Sequence, residues 1–294
     1  GVTKLLHSDS ADQESTQSAG LTAFSSDGFT VGDDDGIGAN TATYVAWQWK
    51  ANGGSRTTFT ESGTNPGGGR QVNTTAGFSI VDYTGTVASG ASGSGTIAHG
   101  LGAVPHVMIV KGRSVGANWT VYHHKNTSAP ETDRLKLNDT NATADFDGWW
   151  NDTAPTSSVF TLGKDDNVNL DAGTYVAYLF TEIQGYSKFG SYTGNNNANG
   201  PFVYTGFKPA WIMIKRTDSA EGWHILDNKR DFNENNTRLQ AESNNAEDTS
   251  EDGLDMLSNG FKIRTSWAGH NASSGTYIYM AFAESPFVSS KGVP

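Results

Sequence analysis

The chain has no cysteine among its 294 residues. That absence excludes a disulfide framework, a thiol nucleophile and thiolate metal sites. It does not fix a compartment, because packing and self-association can stabilise an extracellular assembly without disulfides. Positive charge is also scarce. Lys and Arg number 20 against 31 Asp and Glu, for a formal net charge of -11. Such a surface has no means of neutralising a row of phosphates, so nucleic acid is not expected as a partner and an anionic membrane surface is disfavoured. Long apolar runs are missing too. None reaches the roughly 18–20 residues that a membrane-crossing helix needs, and membrane insertion is not expected. Residues 1–13 (GVTKLLHSDSADQ) lack the apolar core of a signal peptide, a segment that processing removes from mature chains.

What the chain does have is turns and aromatic rings. Hydrophobic residues make up 35% and the mean hydropathy is -0.49, which allows only modest cores. Phe, Tyr and Trp supply 11% of the chain and offset this, because each ring buries a large area. The 35 glycines, with many Asn, Ser and Thr between apolar stretches, favour short strands over long helices. These features predict an all-β protein. The most helix-like window, 232–245, has too many Asn and too weak an apolar stripe, and one short helix near 247–257 is left open.

One strand is written three times: residues 43–49 (TYVAWQW), 173–180 (GTYVAYLF) and 275–282 (GTYIYMAF). Around the last two, longer segments share an order of landmarks. Pro105, Val107, Ile109, Lys111, Trp119 and Leu135 lie 104 residues before Pro209, Trp211, Met213, Lys215, Trp223 and Leu239. A repeat of this length suits one β-sandwich domain and is too long for a solenoid unit. The expected fold is therefore tandem antiparallel β-sandwich domains, jelly-roll-like, with an N-terminal partial repeat. Residues 1–50 carry only the closing part of a unit and are expected to dock on a neighbouring domain or subunit, or on upstream sequence. Residues 51–76 read as a Gly/Ser/Thr-rich linker, 77–184 as the first full repeat and 185–294 as the second. The join at 184–190 is short and carries two aromatics, which predicts a packed, rigid connection.

The wording of several segments resembles a repeated module in tail-fibre and related virion proteins of tailed bacteriophages, especially of marine and cyanobacterial phages. The segments are 47–54 (WQWKANGG), 77–85 (GFSIVDYTG), 99–105 (HGLGAVP), 110–114 (VKGRS) and 118–122 (NWTVY). Further on, 150–163, 185–194, 200–218 and 275–287 extend the likeness over most of residues 20–288. The resemblance implies a β-rich virion component, often part of a longer chain that forms a trimeric fibre and meets the host surface. It implies no catalytic residues. It places the protein in the virion, extracellular after assembly. The partners it implies are further copies of the chain (a homotrimer first, a filament second), other virion proteins, and a host cell-surface glycan or protein. The chain shows no coiled-coil stem and no particle-attachment segment of a complete fibre.

Candidate sites divide by chemistry. A tailspike-type polysaccharide hydrolase needs two carboxylates about 5–9 Å apart across a sugar pocket. Asp145, Asp147, Asp218, Glu221, Asp227 and Asp231 are available, but none sits in a distinctive setting, so no catalytic residue is assigned and the chain is read as non-enzymatic. No HExxH, phosphate-binding Gly-rich loop or GxSxG occurs. His123 and His124 are adjacent, so in a strand they face opposite ways and do not ligate one metal together. Asp165, Asn167, Asn169 and Asp171 alternate as oxygen ligands do in a loop that wraps Ca2+. The stretch stands open between a calcium site and a solvated acidic hairpin loop. An acidic turn at 33–36 occupies the equivalent place in the partial repeat, whereas the third copy has 266–271 (SWAGHN). For glycan binding the candidates are Trp149, Trp150, Asn151 and Trp267, with filling of subunit interfaces as the alternative. Trp119, Trp211 and Trp223 fall at repeat-aligned strand positions and read as core.

Overall fold

The structure is a computed structural model and describes residues 1–51, 54–230, 237–250 and 253–286. It is all-β, with several antiparallel sheets and, among the described residues, three single-turn α-helices and one 3-10 turn at Pro130–Thr132. The N-terminal part holds β1 (Lys4–Leu5), β2 (Ser15–Thr16), β3 (Leu21–Phe24), β4 (Phe29–Val31) and α1 (Asp35–Gly38). There follow β5 (Thr57–Phe59) and β6 (Gly68–Asn73). The first long repeat then runs through β7 (Phe78–Thr84), β8 (Gly95–Ala98), β9 (Val107–Gly112), β10 (Thr120–His123), β11 (Asp133–Lys136), β12 (Ala144–Asp145), β13 (Val159–Leu162), α2 (Asp166–Asn169) and β14 (Thr174–Phe180). The second runs through β15 (Ser187–Thr193), β16 (Phe202–Tyr204), β17 (Pro209–Arg216), β18 (Trp223–Asp227), β19 (Leu239–Gln240), β20 (Leu254–Leu257), β21 (Gly260–Ile263), α3 (Ala268–Asn271) and β22 (Thr276–Ala283).

Within the eight-stranded sheet the order β11-β10-β9-β14-β7 matches β19-β18-β17-β22-β15 of the five-stranded sheet strand for strand. Each closing strand, β14 or β22, sits centrally between an opening strand and the strand that follows a proline. Alternation then sends neighbouring residues to different cores. In β17, Ile212 and Ile214 enter the core against β16, β20 and β21, while Trp211 and Met213 enter a core shared with the other large sheet. In β9, Met108 and Val110 face β8 and β13, while Val107 and Ile109 face the shared core. The molecule therefore has three cores, and the middle one lies between the two largest sheets.

Three expectations need correction. Residues 51–76 are not a free linker: β5 and β6 pair with each other, and β6 extends the large sheet at β7. Their glycines serve close approach, since a Cβ on Gly68 would lie 2.0 Å from the Asp82 carbonyl oxygen. No helix occupies the described part of 247–257, where Leu254–Leu257 is a strand paired with β21. Residues 43–49 belong to no strand, although their copies are β14 and β22. The partners that make those copies strands have no counterpart beside 43–49. Of the 232–245 window, 232–236 fall outside the described residues, and Leu239–Gln240 form a strand.

The closing element keeps one local geometry in all three copies. A single helical turn is followed by a non-glycine residue with positive φ (Thr41 at 68°, Ala172 at 60°, Ser274 at 56°) and then by a tyrosine. The tyrosine hydroxyl donates to the carbonyl that opens the turn and accepts the N–H four residues later. Tyr175 bridges Asp166 O at 2.6 Å and Leu170 N at 2.9 Å. Tyr277 bridges Ala268 O at 2.6 Å and Ala272 N at 2.7 Å. Tyr44 bridges Asp35 O and Ala39 N, both at 3.0 Å. Removing a buried hydroxyl that serves two backbone groups leaves both unsatisfied. Tyr175→Phe and Tyr277→Phe are each expected to cost about 1–3 kcal/mol in urea denaturation, and Tyr44→Phe under about 1 kcal/mol because water reaches its turn.

Candidate functional site

The structure moves the aromatic candidates inward. Trp149 and Trp150 are both 1% exposed and fill the core between β8/β13 and the large sheet. An extended segment would turn one of two adjacent rings outward. Residues 147–152 instead form a turn, and both rings point in. Trp149 Nε1 donates to Asp165 Oδ1 at 3.2 Å, and Trp150 meets Tyr122 edge-on. Asn151 is exposed with φ of 52°, a backbone position rather than a ligand platform. Trp267 is half-buried, with the Arg238 guanidinium carbon 4.2 Å from its ring centroid. Its face is covered, so it offers no stacking platform for a sugar. These residues do not form one site.

The proposed calcium ligands are spread around a helical turn. Asp165 caps α2, its Oδ1 accepting from Asn167 N at 2.9 Å and from Trp149. Asn167 Oδ1 accepts from Asn118 N at 2.6 Å, while buried Asn169 bonds Thr86 N and Gly163 O. Asp171 is exposed. The oxygens of 165, 167 and 169 are committed to separate donors, as helix capping requires. Asp34 caps α1 in the same way. Three of the carboxylate candidates are held by cations: Asp147 by Lys164, Asp218 by Arg216 and buried Asp227 by Arg230. Asp231 lies outside the described residues.

Two histidine clusters were not legible as groups. His106, His124 and Glu182 bring one ligand-type atom each within 4.8 Å. Their polar atoms are already used as a bracket on the edge of β15. His124 Nε2 bonds Phe189 O at 2.8 Å, Glu182 accepts from Phe189 N at 2.9 Å and from Lys188 at 2.8 Å, and His106 Nδ1 accepts from Glu182 N. The Lys188 ammonium disfavours a cation there. His224 and His270 are each 1% exposed and lie 5.0 Å apart, against Trp267. Burial holds His270 at about 3 and His224 well below the usual imidazole range, so both are neutral.

The feature that stands out is the N-terminal partial unit. Phe160, Leu162, Val168 and Tyr175 are fully buried in the first repeat, and Phe261, Ile263, His270 and Tyr277 are at most 1% exposed in the second. Their counterparts Phe29, Val31, Ile37 and Tyr44 are 38%, 41%, 37% and 49% exposed. Together with Leu5 and Leu21 these four line a cavity of about 310 Å³. In the full repeats the same space is filled from the opening half of the unit, in the first case by Val81, Tyr83, Ile97, Met108 and Val110. Phe29, Asp34 and Tyr44 of the groove fall in stretches that the sequence comparison marked, but none was given a role there.

The partial unit is nonetheless firmly seated. Trp119 Nε1 donates to His7 O at 2.8 Å, Ala117 N to Ala11 O at 2.8 Å, and Glu14 N to Arg113 O at 2.8 Å. The same three bonds recur between the two full repeats: Trp223 Nε1 to Lys136 O at 2.8 Å, Glu221 N to Thr140 O at 2.9 Å, and Thr143 N to Thr217 O at 2.9 Å. The spacing is 104 residues on the receiving side and 129 on the docking side. One joint is thus used twice. Trp47 and Trp49 complete the seat by packing on Trp211 in the shared core.

No curated protein and no solved structure matches the chain. Residues 1–286 match the family described as a domain of unknown function, DUF7483, and the chain belongs to that family.

Proposed function

We propose that this protein is a non-enzymatic structural component of a virion fibre or particle, built of tandem β-sandwich units joined head to tail. The joint used twice carries this reading. A contact repeated bond for bond between successive units is what an extended scaffold needs, and it requires no ligand. The wording shared with phage fibre proteins agrees with it and supplies the virion and the extracellular setting. Host-surface attachment remains part of the proposal through exposed loops, since the tryptophans first considered for it are buried or covered. A hydrolase is not favoured, because Asp147, Asp218 and Asp227 are each tied to a cation.

Light scattering on the purified chain over a wide concentration range tests the reading. A discrete oligomer near three times the 31.3 kDa chain mass is expected for a fibre segment, and unlimited growth would indicate a filament. A monomer at every concentration would sink self-assembly through this chain.

A further inference from the structure

The partial unit is a socket whose missing occupant can be read from the two complete copies. In each full repeat one strand of the opening half lies antiparallel to the closing strand and ends in Tyr-Thr-Gly: Tyr83-Thr84-Gly85 on β7 and Tyr192-Thr193-Gly194 on β15. The two copies use this tripeptide identically. Tyr83 stacks on Tyr175 with centroids 5.1 Å apart and donates its hydroxyl to Val168 O at 2.7 Å. Tyr192 stacks on Tyr277 at 4.8 Å and donates to His270 O at 2.9 Å. The glycine follows as a requirement of space. A Cβ on Gly85 would lie 2.2 Å from Leu170 O, and one on Gly194 would lie 2.2 Å from Ala272 O. Each glycine N–H donates to a carbonyl just before the closing strand, Gly173 at 2.8 Å and Gly275 at 2.9 Å.

The partial unit presents every receiving group of this arrangement. Tyr44 stands at the place of Tyr175, the Ile37 carbonyl at that of Val168, the Ala39 carbonyl at that of Leu170, and the Ala42 carbonyl at that of Gly173. Thr41 already holds the left-handed turn. Among the described residues, no backbone hydrogen bond is made by 43–49. The segment also emerges directly from an established interface, since Trp47 and Trp49 are seated in the shared core.

We infer that the groove lined by Phe29, Val31, Ile37 and Tyr44 is a docking site for a β-strand ending in Tyr-Thr-Gly, the opening strand of a further unit of the same repeat. The strand pairs antiparallel to 43–49, its tyrosine stacks on Tyr44 and donates to the Ile37 carbonyl, and its glycine passes over the Ala39 carbonyl. This adds one strand to the partial unit in the manner of β-strand addition. The inference rests on the head-to-tail reading above for the class of its partner.

The test is titration of the full chain with a fluorescent peptide copying residues 77–85 (GFSIVDYTG), read by anisotropy, with hydrogen exchange of 43–49 as a second readout. Saturable binding with new protection of 43–49 is expected. In the peptide, Tyr83→Ala should weaken binding about tenfold or more through loss of stacking and one hydrogen bond, and Gly85→Val should abolish it. Because these changes are in the peptide, the fold of the protein is untouched. A monomeric chain that binds in this way supports the socket even though it sinks the fibre reading. Equal binding of the native, Tyr83→Ala and Gly85→Val peptides would overturn the proposal, and so would free exchange of 43–49 at saturating peptide. Protection of 43–49 that rises with protein concentration and ignores the peptide would overturn it in favour of a second copy of the chain.

Discussion

Trp211→Ala is expected to lower the stability of the whole chain by about 3–5 kcal/mol, the usual cost of emptying a large aromatic site. Trp211 stands at the centre of the shared core. Its ring lies 6.2 Å from Trp47, 5.4 Å from Trp49 and 5.7 Å from Phe282, so it joins the N-terminal segment to the second repeat. The resulting cavity adjoins side chains from both large sheets and the N-terminal seat, which limits how far the site can collapse. Its indole N–H has no hydrogen-bond partner among the described residues. Trp211→Phe therefore gives up ring volume but no bond, and is expected to cost appreciably less. Urea denaturation of the three proteins at pH 7.5 checks this. For a chain of this size the alanine variant should melt roughly 10 °C lower, at about 2–4 °C per kcal/mol. A loss below about 1 kcal/mol, against the usual 3–5 kcal/mol for such a truncation, would mean that the two sheets do not share a core.

Acid is expected to unfold the protein through its buried histidines. His123 is 2% exposed and bonds Tyr279 O, while His224 and His270 are each 1% exposed. Burial lowers His123 and His270 from 6.5 to about 3 and puts His224 well below 6.5. These rings stay neutral in the fold but take up protons once unfolded. Their contribution is therefore complete above pH 6.5 and is lost progressively as pH falls from 6.5 toward 3. His123 and His270 each remove about 1.4 kcal/mol per pH unit across that window, or about 2 kcal/mol by pH 5, and His224 acts in the same direction. Among the described residues both ring nitrogens of His270 lack a partner, so His270→Leu gives up no hydrogen bond there. That variant should match the parent within about 1.5 kcal/mol at pH 7.5 and lose about 2 kcal/mol less between pH 7.5 and pH 5. Identical acid sensitivity in the two proteins would remove His270 from this account.

The duplicated scaffold was legible because a central strand leaves few choices. With partners on both edges and packing on both faces, β9 and β17 are largely apolar up to a buried lysine (Lys111, Lys215) and start just after or at a proline, and that wording survives in both repeats. Where pairing depends on something outside the segment, the text misleads. Residues 43–49 spell a strand as clearly as 174–180 do, yet strand formation is decided by neighbours, which 43–49 lack. Gly68 looks like linker because contact with β7 selects for a missing side chain rather than for β propensity. The acidic alternation at 165–171 resembles a cation loop because helix caps and calcium loops both call for short oxygen-bearing side chains. The groove could not be read directly, since exposure of Phe29 or Ile37 is a property of what does not cover them.

The repeated joint has a direction. Its docking face, at 7–14 and again at 136–143, differs from its receiving face, at 113–119 and again at 217–223. Contacts between unlike faces do not close on themselves as twofold contacts do. An array built by this step has two chemically different ends. One presents a docking face like that at 136–143, and the other a receiving face like that at 113–119. Addition at either end then involves different surfaces, so such an array lengthens and is capped as a vector rather than as a symmetric rod.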